Sequence, residues 1–379
     1  MTLFISRIRI IRSSNPEFNP TVVNPQKTGE FMKSDSRIGK SELKVQTFIK
    51  SITVGLAVLL MVGGHALSAT VGSAVLLMIG GHALSADNPG SLTELLNGAE
   101  KQATKNGTVY EVVSDIRYAG ADGSQLLDLH MPSDASNGLR SAVLLIHGGG
   151  WATGDKADWR EKEFAELMMD EGYVAVSINY TLTTYAGAVW ASPRLKGGWP
   201  QNIYDCKSAL RWLKKNAGEL GIDPDRIAVM GGSAGGHLSL LTGLSADDPE
   251  LNSGGEYKEQ NNSVRCIVDF YGIPDVRRWG GWAFIDEKEE EHPEIWAKAS
   301  PVEYLSKKSP PILIVHGTED KTVDVGLSDE FAAILTEKEL PFQYVKVEGA
   351  GHSFGLHPPQ QDVTEIVRLF LKDNIDRSH

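Results

Sequence analysis

The chain has 379 residues, 41% hydrophobic and 23% charged, which is the makeup of an ordinary globular protein with one large domain or two small ones. Its formal net charge is −12, which argues against nucleic acid as a partner, because phosphate binding needs a basic surface. Two cysteines, Cys206 and Cys266, form no CxxC pair, and no Cys/His cluster has zinc-ligand spacing, so no metal site is expected.

Residues 1–50 carry scattered Arg and Lys without periodicity. Residues 53–86 are a tandem repeat of one 17-residue unit with two changes: TVGLAVLLMVGGHALSA (53–69), then TVGSAVLLMIGGHALSA (70–86). Each copy has an apolar run of signal-peptide length followed by a small-x-small site, and Lys33, Arg37, Lys40, Lys44 and Lys50 precede them. The segment reads as a signal peptide with a duplicated core. Cleavage after Ser85 leaves a chain beginning ADNPG, secreted or periplasmic. The other reading is an uncleaved membrane anchor, since the two copies together are long enough to span a bilayer. Residues 1–86 are thus expected outside the fold and 87–379 within one domain.

The pattern then alternates. Two antiparallel strands are predicted over 107–131, around a turn at 121–123. A buried strand (142–150) runs into glycines, followed by an amphipathic helix (159–172) and a strand (173–180). A helix (201–220), a strand (226–232) and a helix (234–244) come next. Strands at 264–272 and 310–317, a helix at 328–340, a strand at 342–349 and a closing helix at 359–375 complete the series. This alternation implies an α/β fold, with a mostly parallel central sheet and helices on both faces. Cys206 falls in a predicted helix and Cys266 in a predicted strand. Buried free thiols are expected, with a disulfide as the alternative in an exported protein.

Three stretches break the alternation: 181–200, 245–263 and 273–300. The second is polar and reads as a solvated loop. The first and third carry Tyr185, Trp190, Trp199, Trp279, Trp282, Phe284 and Trp296, and they are expected to form a small lid or cleft walls. Trp151, Trp190 and Trp282 are the candidates for substrate contact. The alternative is that the tryptophans only pack the insertions.

Chemistry concentrates in four places. Gly231-Gly232-Ser233-Ala234-Gly235 joins a predicted strand to a predicted helix, the context in which GxSxG forms a nucleophile elbow. Small neighbours are needed because that turn is tight. His147-Gly148-Gly149-Gly150-Trp151 ends the 142–147 strand. Backbone N–H groups of Gly149, Gly150 and Ala234 are the candidates for stabilising a developing oxyanion, and His147 is assigned a structural role. His352, in Gly349-Ala350-Gly351-His352, follows the nucleophile and acid in chain order and is the candidate base, with His357 as rival. Asp320, in the loop after 310–317, is the candidate acid, with Glu319 and Asp324 as neighbours that could replace it. His316 and His237 are read as structural. The acidic run 286–291 reads as a solvated face.

HGGGW at 147, GGSAGGH at 231, HGTEDKTV at 316 and GAGHSF at 349 resemble the α/β-hydrolase-fold esterases related to hormone-sensitive lipase. They are more similar still to the bacterial bifunctional feruloyl and acetyl-xylan esterases, whose helix before the elbow resembles WPQNIYDCKSALRWL (199–213). The likeness covers about residues 107–375. One departure is Gly232, where the lipase-like relatives usually carry Asp. The resemblance implies a serine carboxylesterase that needs no cofactor and acts on acetyl, short-chain or feruloyl-type esters, either of small molecules or linked to polysaccharide. It leaves two alternatives: a peptidase or amidase of the same fold, and a non-catalytic binding protein on this scaffold.

Overall fold

The computed structural model describes residues 10–12, 91–120, 124–134, 138–186, 194–196, 198–279 and 284–376, with backbone alone at 10–12, 185–186 and 194–196. The duplicated export segment, the turn at 121–123, Trp190 and Trp282 lie outside them.

In chain order the elements are β1 (Ile10–Arg12), α1 (Leu92–Leu96), β2 (Glu100–Ala103), β3 (Val109–Arg117), β4 (Leu126–Pro132) and β5 (Arg140–Ile146). Then come α2 (Trp159–Asp170), β6 (Val174–Ile178), the short pair β7 (Thr184–Ala186) and β8 (Arg194–Lys196), α3 (Gln201–Lys215), α4 (Ala217–Leu220), β9 (Ile222–Gly232) and α5 (Ala234–Leu244). The remainder is β10 (Ile267–Phe270), α6 (Pro293–Lys298), a 3₁₀ turn (Pro301–Tyr304), β11 (Ile312–Gly317), α7 (Val325–Glu337), β12 (Phe342–Val347) and α8 (Thr364–Ile375).

The large sheet has the order β1-β12-β11-β10-β9-β5-β6-β4-β3-β2. From β12 to β6 every pairing is parallel, and β4, β3 and β2 continue antiparallel at one edge. The reading of residues 1–86 as lying outside the fold needs one correction. Ile10–Arg12 pair antiparallel with Gln343–Val345, occupying the edge that β12 would otherwise leave open.

The strands are apolar because both faces are covered. Ala142, Leu144 and Ile146 of β5 pack with Ile203, Leu210 and Leu213 of α3, Leu238 and Leu241 of α5, and Phe331 and Leu335 of α7. Their alternates Val143 and Leu145 pack on the other face with Phe164 and Met168 of α2 and Val367 and Leu371 of α8. This is the period of two expected of a strand.

The polar stretch 245–263 is not simply solvated, a second correction. Lys207, Arg211 and Lys214 lie buried on one face of α3 and reach into it. Lys207 donates to the Ser245 carbonyl and Asn252 Oδ1, Arg211 to the Gly254 carbonyl, and Lys214 to Asn261 Oδ1 and Ser263 Oγ. Buried donors need partners, and this loop's carbonyls and amides supply them.

The crossover from β5 to β6 turns one way and that from β6 to β9 turns back past β5. The carboxyl ends of β5 and β9 therefore flank the point where the winding reverses, the place where open α/β sheets leave a crevice.

Candidate active site

Ser233 follows the last residue of β9 and caps α5 with φ 59° and ψ −122°. For a residue with a Cβ this backbone costs about 1–3 kcal/mol and must be held by its surroundings. Here the Ser233 N–H donates to the Phe270 carbonyl at 2.9 Å, and its carbonyl accepts from His237 N–H at 2.9 Å. The neighbours must be small. A Cβ on Gly231 would lie 2.5 Å from the Ile146 and Gly235 carbonyl oxygens, and one on Gly235 would lie 2.0 Å from that of Ile146.

The loop after β5 runs through three successive positive φ values: 106° at Gly149, 59° at Gly150 and 57° at Trp151. The N–H groups of Gly149, Gly150 and Ala234 have no hydrogen-bond partner among the described residues. All three residues line one cavity with Ser233. His147 braces this loop. Its Nδ1–H donates to the Gly148 carbonyl at 2.7 Å, and its ring stacks on Tyr180 at 4.4 Å. The Tyr180 hydroxyl donates to the His147 carbonyl. Burial lowers the His147 pKa and favours the neutral ring.

His352 stands in the loop between β12 and α8. Its Nε2 lies 3.0 Å from Ser233 Oγ and its Nδ1 lies 2.6 Å from Asp320 Oδ2. Asp320 sits in the loop after β11, where Oδ1 accepts from the N–H groups of Thr322 and Val323 at 2.8 and 2.9 Å. Burial alone would raise the Asp320 pKa. Hydrogen bonds from His316, His352 and the Val323 N–H outweigh it and hold the carboxyl well below the usual carboxylate range. The structure thus brings Ser233, His352 and Asp320 into one hydrogen-bonded row beside the three open amides.

The rivals lie elsewhere. His357 is exposed and faces Asp362 at 2.8 Å. Glu319 pairs with Lys321 on the surface. Asp324 caps α7 by accepting from Gly326 N–H. His237 is fully buried; its Nε2–H donates to the Ala299 carbonyl and its Nδ1 accepts from Trp151 Nε1.

The cavity over Ser233 measures about 230 Å³ and is also lined by Trp151, Arg160, Ile273, Trp279 and Thr322. A more polar cavity of about 380 Å³ adjoins it behind the glycine loop, against Thr153, Asp158, Arg160 and Glu161. Trp151 reaches the first cavity yet is only 1% exposed, because it stacks on Phe284 at 4.2 Å. The aromatic insertion 273–300 contributes Ile273 and Trp279, whose Nε1 donates to the Thr322 carbonyl. Sequence reasoning missed Arg160, which sits in an amphipathic helix with no motif around it. It also missed Tyr271, whose ring lies 4.8 Å from that of His352. The assembly offers a hydroxyl beside an imidazole, an acid to orient the imidazole, and amide donors for a developing negative charge. That is the equipment of acyl transfer.

The chain is similar to proteins named as esterases. Esterase LipQ of Mycobacterium tuberculosis is 31% identical over 272 residues, which are 68% of this chain and 61% of LipQ. The chain therefore spans about three fifths of that relative's length. An arylesterase of Saccharolobus solfataricus is 30% identical over 63% of this chain and 75% of its own length. The structure of Thermogutta terrifontis esterase 2, phosphorylated by paraoxon, superposes with a TM-score of 0.53 and 26% identity over 73% of this chain and 95% of that one. The family model named BD-FAE matches residues 127–335, more than half of the chain, from β4 through the Ser233 turn to α7. With the α/β-hydrolase sheet in place and the match running through the Ser233 and Asp320 turns, the chain belongs to the BD-FAE family.

Proposed function

We propose that the chain is a serine carboxylesterase working through an acyl-enzyme. His352 Nε2 takes the Ser233 proton as Oγ attacks the ester carbonyl. The oxyanion is met by the N–H groups of Gly149, Gly150 and Ala234. Asp320 keeps Nδ1 protonated and balances the imidazolium, which then protonates the departing alcohol. Water, activated by the same imidazole, releases the acid. The observation that carries this reading is the unbroken row Asp320–His352–Ser233, at 2.6 and 3.0 Å, ending beside unpaired amides. The names of the relatives, an esterase and an arylesterase, support the same bond type.

The modest cavity, lined by Trp151, Ile273 and Trp279, favours an acetyl, short-chain or flat aromatic acyl group. Ser233→Ala should lower turnover of p-nitrophenyl acetate by roughly 10⁶-fold in protein that still folds. An unchanged rate would remove Ser233 from the mechanism. A panel of acetyl, butyryl, feruloyl and long-chain esters reads the acyl preference. The matching anilide separates ester from amide cleavage.

We also propose that the chain is exported, on the strength of the duplicated unit at 53–86. The protein recovered from its native cells should begin at Ala86, so that β1 leaves with the export segment and β12 becomes the edge strand of the mature sheet. A mature chain that retains the repeats in the membrane fraction would identify an anchor instead.

A further inference from the structure

Arg160 lies in the first turn of α2 and is 8% exposed. Its Nε pairs with Glu161 at 3.2 Å. Its Nη1 donates to the Tyr271 hydroxyl at 3.2 Å, and that hydroxyl donates to the carbonyl of Phe354, two residues past His352. The guanidinium also packs on both glycine turns. A Cβ on Gly232 would lie 3.1–3.2 Å from it, and one on Gly148 would lie 2.8 Å from Nη2. The glycine at 232 thus leaves room for the guanidinium beside the nucleophile. Tyr271 is itself unusual, a bulky residue at φ 41° just past β10. It is kept there by its N–H bond to the Val315 carbonyl at 2.8 Å. Its ring lies 4.8 Å from the imidazole of His352 and 4.8 Å from the ring of Phe354.

The segment carrying His352 has no regular structure of its own between β12 and α8. Besides the Tyr271 bridge it is tied to α2 by the Leu356 N–H, which donates to Glu163 Oε2 at 2.6 Å. Arg160 and Glu163 are one turn apart on the same helix, so one face of α2 holds the loop at two points. A buried cation and a strained tyrosine are expensive in stability. Tyr271 touches the element that sets the base, and Arg160 holds the Tyr271 hydroxyl.

We propose that Arg160 and Tyr271 are positioning residues that fix the His352 loop against the nucleophile turn. They act on the reaction through His352. A displacement of about 1 Å at a reacting group is enough to lose roughly a hundredfold in rate. Losing one of two tethers should cost less. The inference rests on the serine-hydrolase reading above.

The test is Tyr271→Phe, which removes the bridging hydroxyl and keeps the ring, beside Arg160→Lys and the double variant. Active sites are counted by exhaustive fluorophosphonate labelling. Per labelled site, kcat on p-nitrophenyl acetate should fall about tenfold in each single variant, with KM within about twofold. The double variant should be no worse than the poorer single one, because both break the same bridge. An unchanged kcat in Tyr271→Phe overturns the proposal. So does a loss confined to KM, or losses that multiply in the double variant. If the wild type turns over no ester, the esterase reading fails separately. The rate of Ser233 labelling then carries the comparison, and an equal rate in wild type and Tyr271→Phe overturns the positioning role.

Discussion

His316 Nε2 lies 3.2 Å from Oδ2 of Asp320, the same oxygen that His352 Nδ1 reaches at 2.6 Å. His316 is fully buried. Its Nδ1 is 2.7 Å from Ser328 Oγ, and its Nε2 also lies 2.9 Å from the Val323 carbonyl. The Ser328 hydroxyl donates to Nδ1, which leaves Nε2–H to donate to the Val323 carbonyl while standing 3.2 Å from the carboxylate. The histidine read as structural from sequence is therefore part of what keeps the acid charged.

That arrangement gives a pH dependence of known sign. The folded pKa of Asp320 is depressed. Its stabilising contribution is then complete above the ordinary aspartate value of about 4, and it is lost as pH falls below that toward the lower folded value. Asp320→Asn removes this contribution. The stability gap between wild type and variant should shrink from pH 5 to pH 3 in urea titrations. A gap that stays constant would contradict a depressed carboxyl. At neutral pH the same variant should lose roughly 10³–10⁴-fold in kcat, since Asn does not balance an imidazolium.

The two glycines after His147 should differ on substitution. A Cβ at Gly149 would lie 2.2 Å from the Thr153 carbonyl oxygen at φ 106°, so the loop must move. A Cβ at Gly150 meets nothing within 4 Å, and φ 59° costs it only about 1 kcal/mol. Gly149→Ala should lower kcat by about 10²–10³-fold with little change in KM, the loss expected for one misplaced oxyanion donor. Gly150→Ala should stay within about tenfold of wild type. Steady-state kinetics on one acetyl ester decides. Equal losses would mean that strain rather than donor placement sets the rate.

Asp269 on β10 offers a second pH signature with the opposite sign. It is fully buried, with Oδ1 accepting from Gly272 N–H at 2.9 Å and Oδ2 without a partner among the described residues. Burial pushes its pKa up to about 7. A raised carboxyl favours the fold below the unfolded value of about 4, and that contribution is lost as pH rises through the folded value near 7. Asp269→Asn should therefore melt above wild type at pH 8 and close to it at pH 4. A uniform shift at both pH values would show that the carboxyl is not protonated in the fold.

The parallel core was legible because its strands are short apolar runs bounded by glycine and its helices carry an apolar stripe. The turns around Ser233, Asp320 and His352 were legible because tight backbone demands small residues at fixed spacing. What failed was local. The helix predicted over 328–340 begins three residues earlier, at Val325, because the Asp324 side chain caps it. The helix predicted over 201–220 breaks at Asn216 into α3 and α4. α1 was missed although Ser91 and Glu94 form a capping box, a pattern visible in sequence. Arg160 and Tyr271 left no signal, since their roles exist only once α2, β10 and the His352 loop meet. The cysteines are both buried and free. Cys206 lies on α3, in the core on one face of the sheet, and Cys266, just before β10, faces the core on the other side.

Trp151 is expected to matter more for stability than for acetyl-ester turnover. Its Nε1–H donates to Nδ1 of His237 at 3.2 Å, and the Ala299 carbonyl accepts from Nε2–H at 2.8 Å, so the imidazole is neutral and both nitrogens are satisfied. Burial lowers the His237 pKa to about 4, in keeping with that state. Trp151→Phe keeps an aromatic ring against Phe284 but leaves a buried acceptor unpaired, at a cost of about 1–3 kcal/mol. Trp151→Ala also removes the ring, raising the cost to about 3–5 kcal/mol, and it widens the acyl cavity. Urea midpoints should fall in the order wild type, Phe, Ala. The Phe variant should keep wild-type kcat/KM on acetyl esters, and the Ala variant should gain relative activity on butyryl and longer esters. A Phe variant as stable as wild type would mean that His237 has another partner for Nδ1. An Ala variant with unchanged chain-length preference would place the acyl group elsewhere than against Trp151.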